Sequence, residues 1–192
     1  MTHGSKQVGI YGGTFDPIHF GHLNLALELL ERQRLDEIWF CPANLPPFKQ
    51  GIPLSSPQHR AAMVALAIAD IPAFRLLDIE LQREGPSYTI DTVRELMQKD
   101  TKIGYHLILG DDSIENFSKW HQAEQLVDLI PLSIGRRTCQ PPEIRSASAK
   151  ISTALRRGLL PTRVLEISGT DIRKRLHQGL YCGHLLPEKV AA

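Results

Sequence analysis

Two short segments of the chain combine residue types suited to holding phosphate. The first runs Gly12-Gly13-Thr14-Phe15-Asp16-Pro17-Ile18-His19-Phe20-Gly21-His22 and joins an apolar run to an amphipathic one. Paired glycines let the backbone approach a bulky ligand without side-chain collision. His19 and His22 are three positions apart and share one face of a helix's first turn. Unpaired N–H groups and the positive end of the helix dipole favour phosphate at that turn. Imidazoles add hydrogen bonds to phosphate oxygens without a fixed positive charge. His-x-Gly-His arises by chance in roughly one chain of this composition in 40. The glycines do not form G-x-G-x-x-G, so this is not the dinucleotide fingerprint. The second segment, Ile167-Ser168-Gly169-Thr170-Asp171-Ile172-Arg173, again ends an apolar run and opens a helix. Ser168 and Thr170 can cap that helix or donate to phosphate, and Arg173 extends a forked cation from its first turn. Alone, this segment suits a capped helix with a solvated arginine as well. Two phosphate-favouring helix starts in one chain are far more specific than either.

Other residues add recognition chemistry. Gly110-Asp111-Asp112-Ser113 follows an apolar run, and an acidic side chain at a strand's carboxyl end can accept hydrogen bonds from ribose hydroxyls or cap the next helix. Trp120, in Lys119-Trp120-His121, offers a flat face to an aromatic ring or a large body to the core. Lys49, in Pro46-Pro47-Phe48-Lys49, suits a phosphate or plain solvent. Arg136-Arg137 brings further cations beside a strand end, as ligands' partners or as a solvated pair.

These residues need a scaffold that gathers them. Apolar runs at 7–11, 38–41, 74–81, 105–109, 129–134 and 163–167 read as strands, and 21–32, 58–69, 88–98, 146–157 and 170–177 as helices. In the first helix Leu23, Ala26, Leu27 and Leu30 fall on one face. Ser56-Pro57 makes an N-cap and first helical position. The alternation predicts a Rossmann-like α/β fold, with a doubly wound, mainly parallel sheet of about five or six strands and helices on both faces. Ligands of such sheets bind beyond the carboxyl ends of the strands. Residues 44–57 are too long for a plain connector and form a candidate functional loop.

Bulk properties narrow the classes. At 192 residues the chain suits one domain with its own core, and its net charge of +1 argues against a nucleic-acid partner. Cys41, Cys139 and Cys182 are odd in number and widely spaced, which suggests neither a disulfide framework nor a zinc site. No apolar run approaches the ~18 residues of a membrane span, and residues 1–7 lack the apolar stretch of a secretory signal. A cytoplasmic protein with no membrane partner is expected. Nothing in the sequence speaks to oligomeric state.

Gly-Gly-Thr-Phe-Asp-Pro followed by His-x-Gly-His resembles the signature of the nucleotidyltransferase superfamily, whose members bind ATP phosphates at this turn. From Val8 to about Pro187 the chain is similar to the bacterial nicotinate-mononucleotide adenylyltransferases. The resemblance implies one nucleotidyltransferase domain over residues 1–192. It places ATP on Gly12, Gly13, Thr14, Phe15, His19 and His22, and its β- and γ-phosphates on Ser168, Thr170 and Arg173. Gly110 and Asp112 match the family's Gly-x-Asp and imply a contact to the adenosine ribose. Pro86-Ser87-Tyr88-Thr89 matches the family's substrate segment, and Trp120 matches the tryptophan on which the family stacks the pyridine ring. Backbone N–H groups near Thr89 and His121 are then expected to receive the nicotinate carboxylate. Lys49, Tyr88 and Arg136 complete the expected acceptor site. The family usually shows histidine where Phe48 stands, so any contact from that imidazole is missing in this chain.

The implied reaction transfers AMP from ATP to nicotinate mononucleotide, with Mg²⁺ carried by the nucleotide phosphates. His19, His22 and Arg173 are its expected catalytic residues. Nicotinamide mononucleotide and phosphopantetheine are rival acceptors, although phosphopantetheine enzymes usually have Thr where His19 stands. A nucleotide-binding regulator that performs no reaction is the rival from another class, and loss of His22 or Arg173 would have marked it.

Overall fold

Side-chain alternation along the apolar runs builds a sheet that is covered twice. The computed structural model describes residues 5–49, 51–140, 142–145 and 148–191. Its strands are β1 (Gln7–Gly13), β2 (Glu37–Pro42), β3 (Phe74–Leu76), β4 (Gly104–Gly110), β5 (Leu132–Gly135) and β6 (Leu159–Leu160). All pairings are parallel, and the order is β3-β2-β1-β4-β5-β6. The helices are α1 (Phe20–Gln33), α2 (Pro57–Ile68), α3 (Thr89–Lys99), α4 (Ile114–Phe117), α5 (Ala123–Leu129), α6 (Ala149–Gly158), α7 (Gly169–His177) and α8 (Glu188–Ala191).

Val8 and Ile10 of β1, with Leu107 and Leu109 of β4, enter one apolar cluster with α3, α4, α5 and α6. Tyr11, Ile108, Ile38 and Phe40 point the other way, into a second cluster with α1 and α2. Burial on both faces is what continuous apolar strands require. Gly9 has a packing reason, since a Cβ there would stand 2.5 Å from Ile38 Cδ1. The chain winds outward from β1 to β3, then returns beside β1 as β4. The carboxyl ends of β1 and β4 therefore flank the point where the winding reverses, the usual ligand position in such sheets.

Several boundaries differ from the sequence expectations. Residues 163–167 form no strand. The sixth strand is Leu159–Leu160 and ends at Pro161, whose nitrogen carries no proton for the ladder. The segment beyond then leaves the sheet and crosses α1, where a Cβ on Gly21 would lie 3.0 Å from the Leu165 carbonyl. Gly21 thus permits the approach that brings the start of α7 beside the start of α1. Residues 74–81 split into β3 and a 3-10 turn at Ile79–Gln82, and Leu129 closes α5 instead of opening a strand. In α1 the inward face is Leu25, Ala26 and Leu29, flanked by Leu23 and Leu30, while Leu27 is turned outward. Ser56 caps α2 as expected, accepting from the His59 amide, with Pro57 at its first position. The expected start of α6 at Ser146 falls outside the described residues; within them the helix starts after Ser148 and buries Ile151 and Leu155. Among the described residues no helix is long and apolar enough to cross a membrane.

Candidate active site

A cleft of about 860 Å³ opens over the carboxyl ends of β1 and β4. One wall is the turn from β1 into α1. Gly12, Gly13, Thr14 and Phe15 line it, but they do different things. A Cβ on Gly12 would stand in open space, whereas one on Gly13 would lie 2.8 Å from the Phe15 ring. Phe15 has φ 51, a left-handed conformation that costs energy for an aromatic residue. Its ring is buried against Tyr11, Phe40 and His22, so Phe15 supports the histidine from below.

His19 and His22 lie stacked, with ring centroids 3.7 Å apart. The His19 amide donates to His22 Nδ1 at 3.3 Å, which leaves the neutral ring's proton on Nε2. Nδ1 of His19 is buried and has no partner. Burial, and then the positive charge of Arg137, push His19 down to about 3. Burial, then His19, Arg137 and Lys49, hold His22 well below the usual histidine range. Both rings are therefore neutral near pH 7. An unfolded histidine takes up its proton near 6.5, and folded His19 only near 3, so stability falls as pH drops through that window. At pH 5 this penalty is about 2 kcal/mol. Urea melts at pH 7 and 5 are expected to show a smaller acid loss for His19→Asn than for the parent; equal losses would assign the effect to other groups.

The opposite phosphate-favouring wall is the start of α7. Ser168 caps it, accepting from the Asp171 amide at 3.4 Å. Thr170 lies within the first turn and accepts from Arg173 Nη2 at 3.3 Å. Arg173 Nη1 donates to the Asp16 carbonyl, and Asp16 Oδ2 lies 3.9 Å away. One guanidinium thus joins the two helix starts, although 157 positions separate Arg173 from Asp16 in sequence.

The rest of the lining comes from the loops after β2 and β4 and from the start of α3. Trp120 is half-buried, packs on Phe117 at a centroid distance of 5.1 Å, and also lines the cleft. The core and ligand-facing roles for this residue are therefore compatible. Tyr88 and His121 are stacked at 4.3 Å beside it. Thr89 is the first residue of α3, where helix N–H groups lack partners within the helix. Lys49 reaches the cleft from a 3-10 turn at Pro47–Lys49. Desolvation, and then repulsion from Arg173, lower its ammonium's pKa. Phe48 stands 55% exposed at the rim.

Gly110 and Asp112 also line the cleft, whereas Arg136 does not. Asp111 explains that correction. Its wholly buried carboxylate needs donors, and it takes Arg136 Nε at 3.1 Å, the Arg137 amide at 2.8 Å and Thr138 Oγ1 at 3.2 Å. Arg136 is consumed in holding this loop, and Arg137 enters the cleft in its place. The sequence reading noticed the arginine pair but had no means to assign its two members. It also missed Arg60, which is 1% exposed and donates to the carbonyls of Ser55, Thr14, Ala43 and Asn44. An arginine inside an apolar helical face was the available signal.

The fold and the two helix starts define the class. A cytidylyltransferase-like family model matches residues 10–175, and the chain belongs to that family. Nicotinate-nucleotide adenylyltransferase of Bacillus subtilis (strain 168) is 39% identical over 185 residues, covering 96% of this chain and 93% of its own. A protein of Oceanobacillus iheyensis named probable nicotinate-nucleotide adenylyltransferase is 37% identical, covering 96% and 92%. Within the broader family, the chain belongs to the nicotinate-nucleotide adenylyltransferases. Its fold matches Plasmodium falciparum nicotinic acid mononucleotide adenylyltransferase complexed with NaAD, with a TM-score of 0.76, 22% identity and coverage of 96% and 92%.

Proposed function

We propose that this protein transfers the adenylyl group of ATP to nicotinate mononucleotide, giving nicotinate adenine dinucleotide and pyrophosphate in NAD biosynthesis. The observation that carries the reading is one cleft lined both by two helix starts joined by Arg173 and by Trp120 and Thr89. The cleft's volume suits a ligand of nucleotide size or larger.

The acceptor phosphate is already anionic. One of its oxygens attacks the α-phosphorus of ATP, the bond to the bridging oxygen breaks, and the electron pair leaves with pyrophosphate. No proton need be removed and no covalent enzyme intermediate forms. Catalysis is then positioning and charge stabilisation. His22 donates from Nε2 to the α-phosphate as charge develops, and His19 contacts the phosphate chain beside it. Arg173 leaves the Asp16 carbonyl for the departing pyrophosphate. Lys49 holds the acceptor phosphate. Asp112 receives the ribose, and Trp120 stacks on the pyridine ring. Among the described residues no three His, Cys, Asp or Glu side chains cluster as a metal site, and Asp16 already accepts from the Ser55 amide. That donor set fits Mg²⁺ arriving on the nucleotide as part of the substrate, where it neutralises phosphate charge. A single domain working in the cytoplasm completes the reading.

The test is pyrophosphate release from ATP and Mg²⁺ with nicotinate mononucleotide, nicotinamide mononucleotide or phosphopantetheine as acceptor. Preference for the first is expected. Release with another acceptor only would overturn the substrate, and none from a folded, ATP-binding protein would favour a regulator. Trp120→Ala is expected to raise the Michaelis constant for the pyridine nucleotide about tenfold and spare that for ATP. An equal rise for both substrates would give Trp120 a general structural role.

A further inference from the structure

Arg137 lines the cleft without belonging to either phosphate-favouring motif. Buried Asp111 fixes its backbone by accepting from its amide at 2.8 Å. Its side chain then runs across Gly110, where an added Cβ would stand 2.5 Å from Arg137 Cδ. Nη1 pairs with Asp112 Oδ2 at 2.9 Å, and Nη2 donates to the carbonyl of Ile167 at 3.3 Å, one residue before the cap of α7. Nε is buried without a partner. Among the described residues the one carboxylate paired with this guanidinium is that of Asp112, whose side chain is 46% exposed against 18% for Arg137. A largely covered cation thus shares the cleft with Lys49 and Arg173, and its own ion-pair partner is one half-exposed carboxylate. The positive charge of Arg137 also helps keep both cleft histidines neutral.

A guanidinium so placed has one carboxylate partner, and that partner is the residue read above as the ribose acceptor. We propose that Arg137 is a further nucleotide-binding residue that exchanges partners: paired here with Asp112, it turns its fork onto the ATP phosphates when the ribose takes Asp112. The inference rests on the reading that ATP occupies this cleft. A fork of parallel N–H donors suits phosphate oxygens better than a point charge does. Its covered position strengthens that contact relative to one in water.

The exchange predicts opposite effects on two ligands. Titration calorimetry with ATP and Mg²⁺ is expected to show about tenfold or greater weakening for Arg137→Met, and a smaller loss for Arg137→Lys. Adenosine, which has the ribose but no phosphate, is expected to bind Arg137→Met as well as or better than the parent, because Asp112 no longer has a competing partner. Melting temperature is expected to stay within about 3 °C of the parent. Unchanged ATP affinity in Arg137→Met would overturn the proposal. Equal weakening of ATP and adenosine would also overturn it, since a merely structural arginine acts on both. A parent protein that binds no ATP would instead defeat the functional reading on which the inference stands.

Discussion

His22→Ala is expected to lower turnover ~10²- to 10³-fold, the usual loss when one donor to a developing oxyanion is removed. The geometry singles out His22 because its Nδ1 is already committed to the His19 amide. That bond places the ring's one proton on Nε2, ready to donate, and fixes the ring's direction before substrate arrives. The Phe15 ring, 5.1 Å away, and the stacked His19 ring, 3.7 Å away, leave it little freedom. Alanine removes the donor without opening the interior, because His22 lines the cleft. Circular dichroism of the variant should match the parent, and KM for ATP should change much less than kcat. Near-parental kcat in the variant would take His22 out of the mechanism. His22→Gln, which retains a donor, should recover part of the loss if hydrogen bonding, and not ring shape, is what matters.

Arg60→Leu is expected to cost about 3–5 kcal/mol of stability, although Arg60 makes no substrate contact in the proposed mechanism. Its guanidinium donates to Ala43 O at 2.7 Å, Thr14 O at 2.8 Å, Ser55 O at 3.1 Å and Asn44 O at 3.2 Å. Those carbonyls belong to the glycine turn, to the end of β2 and to the long loop that carries Lys49. Leucine leaves them without this donor, and buried acceptors left unpaired cost about 1–3 kcal/mol each. At this chain length the melting temperature should fall by about 6–20 °C. Arg60→Lys keeps the charge but has no planar fork, so it should lie between leucine and the parent. The surviving folded fraction should show raised KM values for both substrates, because both loops lose a common brace. A leucine variant melting with the parent would show that water satisfies these carbonyls.

The first motif was legible because its chemistry is local. A glycine turn, two histidines one helical turn apart and a helix start lie within eleven consecutive residues. The second motif was legible for the same reason, and strand alternation was enough to suggest the doubly wound sheet. Boundaries were less legible where packing overrode pattern. Residues 163–167 have strand-like apolar character, yet β6 ends at Pro161 and the chain crosses α1 instead. Leu27 matches the helical stripe of α1 but falls outside the width that the sheet covers.

The two arginines after β5 mark the limit of local reading. They are adjacent, identical in type and equally plausible as ligand partners. What separates them is Asp111, 25 positions before Arg136, whose buried carboxylate takes that side chain and leaves Arg137 to the cleft. Arg60 is similar, since its four acceptors come from segments between five and 46 residues away. The sequence by itself therefore determined the fold class, the two phosphate-favouring turns and the family, because each depends on residues close together in the chain. The tertiary structure decided which arginine faces the cleft, which way the histidine proton points and what braces the loops. Those outcomes depend on burial and on hydrogen-bond partners that only folding brings within reach.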